Sequence, residues 1–170
     1  MELTIRPERP ADYPAIYRLV RAAFAGSEHT DGDEQNLVER LRRTPDYIPA
    51  LSLLALDGEL PVGHILFSRI RVGEDEALAL APLAVLPAYQ GRGVGSALVE
   101  AGHRAAAGLG YTHSIVLGHP GYYPRFGYRP AAPYGILCPF DAPEDAFLAA
   151  NLRGEPVSLR GVVAYGPAFG

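Results

Sequence analysis

The segment from Ala77 to Leu117 leaves this chain little architectural choice. An apolar run, "ALALAPLAV", passes into "LPAYQ", and Gly91, Gly93 and Gly95 follow on alternate positions. Val94, Ala97, Leu98, Ala101, Ala105 and Leu109 then repeat at helical spacing until Gly108 and Gly110 stop the helix. "THSIVLG" reads as a further strand. Strand Ala77–Val85, helix Val94–Leu109 and strand Thr112–Leu117 form a βαβ unit, so those two strands are expected to be parallel. The N–H groups that open such a helix are unpaired and partly positive, and glycines let them approach an anion. The plainer reading of the same glycines is a tight strand-to-helix turn with nothing bound.

The rest of the chain fits around this unit. Glu2–Pro7 reads as an edge strand. Asp12–Phe24 and "EQNLVERLRRT" read as amphipathic helices, the second with Leu37, Val38 and Leu41 on one face. Leu51–Leu56, Val62–Val72 and Ala77–Val85 read as three antiparallel strands, the first two joined by an Asp57-Gly58 hairpin. "HPGYYPRFGY" reads as a short helix with a turn, and a helix near Glu144–Leu152 and a strand Val157–Tyr165 close the chain. No repeat or linker interrupts residues 1–170, which are expected to form one mixed α/β domain.

Charge and composition exclude several functions. The formal net charge of -4 offers no basic footprint for nucleic acid. Cys138 is the sole cysteine, so neither an internal disulfide nor a cysteine-rich metal site is expected. All 15 basic residues other than histidine are arginine, which removes Schiff-base and P-loop lysine chemistry. No apolar run reaches the ~20 residues of a membrane span. The start "MELTIRPERPADY" is no signal peptide, and a cytoplasmic, bacterial setting is expected.

Known glycine loops can be compared directly. A P-loop needs Gly-Lys-Ser/Thr, and lysine is absent. The dinucleotide fingerprint G-x-G-x-x-G fails in both frames, at Ser96 from Gly91 and at Leu98 from Gly93. "LAVLPAYQGRGVGSALV" instead resembles the acetyl-CoA loop of the GNAT N-acetyltransferase superfamily, Q/R-x-x-G-x-G/A, through Gln90, Gly93 and Gly95. Leu83, Val85, Pro87 and Tyr89 match the L-x-V-x-P-x-Y that precedes it. "YYPRFGY" resembles the family's Y-x-x-x-G-F/Y through Tyr123, Gly127 and Tyr128. The resemblance covers about residues 1–131, and "LGHPGYYPRFGYRPA" is most similar to a bacterial subgroup of acetyltransferases, with His119 where an acidic residue is common.

The resemblance implies a fold, a cofactor and a set of residues. The fold is a central, mostly antiparallel sheet, splayed at the cofactor site and flanked by helices. Acetyl-CoA would bind along the loop of Gln90, Gly91, Arg92, Gly93, Val94, Gly95, Ser96 and Ala97, with the N–H groups from Arg92 to Ala97 on its pyrophosphate. Its pantetheine arm would pair with Leu83, Ala84 and Val85, the Leu83 N–H or its neighbour facing the thioester oxygen. Arg92 would add a phosphate contact or else lie in solvent. Tyr122 would wall the cofactor, and Tyr123 would be the acid that protonates the leaving thiolate; packing is the alternative reading of both. His119 and Glu34 are the candidates for the base; their plain readings are a helix cap or surface histidine for His119 and a helix-dipole charge for Glu34. Glu28, His29, Asp31 and Asp33 make an acidic loop suited to a cationic amine or to plain solvation. His64 reads as a satisfied core histidine. The activity implied is acetyl transfer to a primary amine of a small molecule or peptide, in a ternary complex, without nucleic acid, membrane or metal. Another acyl-CoA, a hydroxyl acceptor, or a non-catalytic acyl-CoA sensor are the alternatives, and a homodimer through the last strand rests on the resemblance alone.

Overall fold

In the computed structural model, which describes residues 1–28 and 30–170, alternation and helical period become nine strands and three helices. The strands are β1 (Leu3–Pro7), β2 (Tyr47–Asp57), β3 (Leu60–Val72), β4 (Asp75–Val85), β5 (His113–Leu117), β6 (Arg129–Pro130), β7 (Ile136–Leu137), β8 (Phe147–Asn151) and β9 (Gly161–Ala164). The helices are α1 (Tyr13–Phe24), α2 (Glu34–Arg42) and α3 (Val94–Gly108). His29, part of the acidic loop expected above, lies outside the described residues.

The sheet runs β1-β2-β3-β4-β5-β8-β6, antiparallel except for the β4–β5 pair, while β9 joins the end of β3 and carries β7. The expected parallel pair is present but short. Only Leu78 with Ser114 and Ala79 with Ile115 are in register. Beyond them β4 continues to Val85, paired with β3 alone. The sheet therefore opens into a gap between β4 and β5.

Each face of the sheet buries a different layer. One face packs Leu53, Phe67, Leu80 and Val116 against Val94, Leu98 and Val99 of α3. Gly102 lets α3 sit close, because a Cβ there would strike the Phe67 ring. The opposite face is divided. Leu54, Leu66 and Ala84 meet Ile16, Val20, Val38 and Leu41 of α1 and α2. Ile70, Ala79, Ile115 and Ala149 meet Ile136 and Val163 of the C-terminal strands.

Two expectations are corrected. Glu144–Leu152 is not a helix: Phe147–Asn151 forms β8, antiparallel to β5 and β6. Ala149 and Ala150 suit a helix by propensity, but β8 is covered on both faces, which favours a continuous apolar strand over an alternating one. Of Val157–Tyr165 only Gly161–Ala164 is regular strand.

A buried ionic cluster ties α2 to the sheet. Glu8, with a fully buried side chain, accepts hydrogen bonds from Arg42 at 2.7 and 3.0 Å and from the Tyr47 hydroxyl at 2.6 Å. His64 Nε2 lies 2.9 Å from the same carboxylate and 3.0 Å from Ser52 Oγ. His64 is a core histidine as expected, though its Nδ1 has no partner among the described residues. Burial opposes the charge on Glu8, but hydrogen bonds from His64 and Arg42 outweigh it and hold the carboxyl far below the carboxylate range. Burial pushes His64 below its ordinary 6.5, against the pull of Glu8, so the ring is neutral and Nε2–H donates.

Both shifts mean that the unfolded chain binds more protons than the folded one. The stability they contribute is complete above pH 6.5 and declines as pH falls, first through His64 and then, below 4.5, through Glu8. The thermal midpoint is expected to fall steadily from pH 7 to pH 4. Glu8→Ala, which strands a buried Arg42, is expected to cost about 3–5 kcal/mol by urea denaturation at pH 7. An unchanged midpoint would show that the cluster contributes nothing.

Candidate active site

The gap between β4 and β5 exposes backbone that has no partner in the sheet. Leu86 N–H bonds to Val62 O at 2.9 Å, and Val85 stands opposite Gly63 in register. Antiparallel alternation then turns the N–H and C=O of Leu83 and Val85 away from β3, into the gap. The Gln90 amide ties the following loop back, donating to Val85 O at 3.1 Å.

The loop that follows is a cradle of donors. None of the backbone N–H groups from Gly91 to Ser96 makes a hydrogen bond within the described chain. Ala97 N–H, expected to join them, is instead the first bond of α3, to Gly93 O at 3.0 Å. Gly91 and Gly93 hold φ of 75° and 85°, a conformation that costs glycine nothing, and the space where a Cβ would stand is open at both. Open donors at the start of a fifteen-residue helix suit a phosphate or diphosphate.

A cleft of about 440 Å³ joins this cradle to the gap, lined by Leu83, Val85, the loop glycines, Tyr122 and Arg125. The Tyr122 hydroxyl stands opposite the first turn of α3, 2.7 Å from where a Cβ on Gly95 would lie. Arg125 stacks over Tyr122 at 4.7 Å and brings a cation to the cleft. Sequence reasoning missed Arg125 and chose Arg92, which stacks over Tyr89 at 4.8 Å outside the lining. The signal was present in "YYPRFGY": one short helical turn from Tyr123 to Phe126 carries Arg125 to the side of Tyr122.

Tyr123 lies behind Tyr122, its ring edge-on at 5.2 Å to Tyr122 and 5.7 Å to Tyr128. Its ring occupies the space that a Cβ on Gly118, at the end of β5, would need. Burial raises its phenol above the ordinary value, so it keeps its proton at neutral pH. Its hydroxyl has no protein partner among the described residues. The Tyr128 hydroxyl, by contrast, is taken up by Ser114 at 2.8 Å and His103 at 2.9 Å, and burial pushes His103 down to about 4.

A second cleft, about 320 Å³, opens on the other face of the sheet at the same gap. Glu34 lines it and accepts from Thr30 Oγ1 at 2.6 and 2.8 Å. Asp31 lines it too, whereas Asp33 is paired with Arg40 at 2.8 Å. Ala84 faces neither this cleft nor the cradle: its side chain is buried under α1 and α2. His119 is not brought to either cleft. It is exposed, and its Nδ1 accepts the Gly121 N–H at 3.0 Å, which makes it a turn cap.

This combination of splayed strands, donor loop and tyrosine turn is that of an acetyltransferase. The sequence model of the acetyltransferase (GNAT) family matches residues 13–128, and the chain belongs to that family. It is 42% identical to the uncharacterised N-acetyltransferase YjhQ of Escherichia coli strain K12 over 159 residues, 89% of this chain and 85% of that one. It is 35% identical to the uncharacterised N-acetyltransferase YhbS of the same strain, with 98% of each covered. Among solved structures, a Brucella melitensis GNAT acetyltransferase in complex with acetyl-CoA superposes with TM-score 0.82 at 32% identity, over 99% of each chain. Escherichia coli YhbS in complex with CoA superposes with TM-score 0.86 at 32% identity, over 99% of this chain and 92% of that one.

The cradle can be tested without any reaction. Inorganic pyrophosphate is expected to raise the unfolding temperature of the native protein and to leave that of Gly93→Asp unmoved, since the new carboxylate would enter the open donor site. Equal shifts in both proteins would remove the loop as the anion site.

Proposed function

We propose that this chain transfers the acetyl group of acetyl-CoA to a primary amine by direct attack in a ternary complex, residues 1–170 acting as one domain. The observation that carries this reading is the gap between β4 and β5, with a donor-lined cleft beside it on one face and an acid-edged cleft on the other. Acetyl-CoA supplies an acetyl group activated as a thioester. The N–H groups of Gly91 to Ser96, with Arg125, hold its diphosphate. The open edge of Leu83, with the Val85 N–H, takes the extended arm as an added strand, while Val85 O stays bound to Gln90. That mode aims the Leu83 N–H at the carbonyl oxygen, where negative charge grows during attack.

Two protons must move. The amine gives one up as its nitrogen bonds to the carbonyl carbon, and the sulfur gains one as the C–S bond breaks. Glu34, at the rim of the opposite cleft, is the group offered for the first. Tyr123 is offered for the second, because it stays protonated and its hydroxyl is not consumed by the protein. His119 falls out of the scheme because its Nδ1 lone pair is already used in the turn. The acceptor is a small-molecule or peptide amine, and a cytoplasmic, bacterial setting goes with the reading.

Calorimetry and thiol release test it together. Acetyl-CoA at about 100 times its dissociation constant should stabilise the fold by ~2.7 kcal/mol. Tyr123→Phe should retain that stabilisation while kcat falls by about 10²–10⁴. Stabilisation without turnover on any amine would favour an acyl-CoA sensor. A loss of kcat in Tyr122→Phe but not in Tyr123→Phe would move the acid one residue.

A further inference from the structure

The second cleft is built from parts that are far apart in the chain. Its floor is Ala79, Leu80 and Ala81 of β4 with Ile115 and Leu117 of β5, the residues at which the two strands separate. One wall is aromatic. The rings of Phe140 and Tyr165 stand 6.0 Å apart, and those of Tyr165 and Phe169 4.9 Å apart. The facing wall is α2 and its approach, with Asp31, Glu34 and Leu37.

Several features of this cleft select a ligand. Leu117 and Phe140 are 48% and 49% exposed although they line a concavity, so apolar surface is held open there. No arginine or histidine lines the cleft among the described residues, so its only formal charges are the carboxylates of Asp31 and Glu34. Arg40, in the adjoining hollow, is already bound to Asp33 and to Ala168 O. The Tyr165 hydroxyl has no protein partner among the described residues. The volume suits a small molecule and not a folded partner.

We infer that the acceptor is a primary amine on a compact apolar body, aromatic or branched aliphatic, that carries no carboxylate. The ammonium is drawn to the Asp31 and Glu34 edge, and the body stacks on the Phe140–Tyr165–Phe169 wall. An amino acid is rejected because its carboxylate would face two like charges without a counter-ion. A polyamine is disfavoured because its flexible methylene chain covers the aromatic wall less well than a ring or branched body and loses more conformational freedom when held there. This rests on the acetyl-transfer reading above, since it gives the second cleft its role.

The test begins with acetyl-CoA binding by calorimetry and continues with thiol release on 2-phenylethylamine, phenylalanine and spermidine. Phenylethylamine is expected to exceed both others in kcat/KM by at least about tenfold. Phe140→Ala, at an exposed position, is expected to raise the KM for phenylethylamine about tenfold while the dissociation constant of acetyl-CoA stays the same. Glu34→Gln is expected to narrow the discrimination against phenylalanine. A preference for spermidine or phenylalanine overturns the inferred class and leaves acetyl transfer standing. So does bound acetyl-CoA without turnover of phenylethylamine. Failure to bind acetyl-CoA overturns the transfer reading and this inference with it.

Discussion

Backbone N–H and C=O groups inside a fold must find partners, and at the centre of this sheet some do not. β4 and β5 pair over two residues and then part, which leaves the outward groups of Leu83 and Val85 facing a gap. The sheet tolerates this because the other edge of β4 is paired with β3 as far as Val85. An extended ligand can supply the missing hydrogen bonds. The defect in the sheet is thus an open hydrogen-bonding edge beside the donor loop.

The gap matters because each face of the sheet ends there differently. On one face α3 brings its free N–H groups to the end of β4. On the other, α2 and the C-terminal strands stop short of each other, and the second cleft is the space between their two apolar layers. The position of α2 is held from below by Arg42 on Glu8, with His64 and Tyr47 on the same carboxylate. That cluster reaches β3 at His64, opposite Ala84 of β4, and it also fixes the helix that carries Glu34 and Leu37.

Much of the cofactor side was legible in the sequence. The start of α3 at Val94 and the parallel return of β5 are local signals that appear where the spacing put them, and the glycine-rich stretch forms the open donor loop. The same locality explains the misses. Ala149 and Ala150 carry a helical propensity that only burial on both faces overrides. "YYPRFGY" announces a tyrosine turn, but packing decides that Tyr122 faces the loop, that Tyr123 lies over Gly118, and that Arg125 reaches the cleft. Glu8 stands among prolines and arginines like a solvent residue, and nothing near it in sequence marks its burial.

The sequence by itself determined the class of fold, the donor loop and the family, because these depend on backbone conformations and periods that span a few residues. Tertiary structure alone decided the second cleft, which draws Asp31, Leu80, Leu117, Phe140 and Phe169 from five separate stretches of chain. It also decided which candidate side chains meet: Glu34 reaches the gap and His119 does not. The reason is physical. A turn or a helix start is set by local sterics and local hydrogen bonds, whereas a cleft is the space left over when distant apolar surfaces have packed.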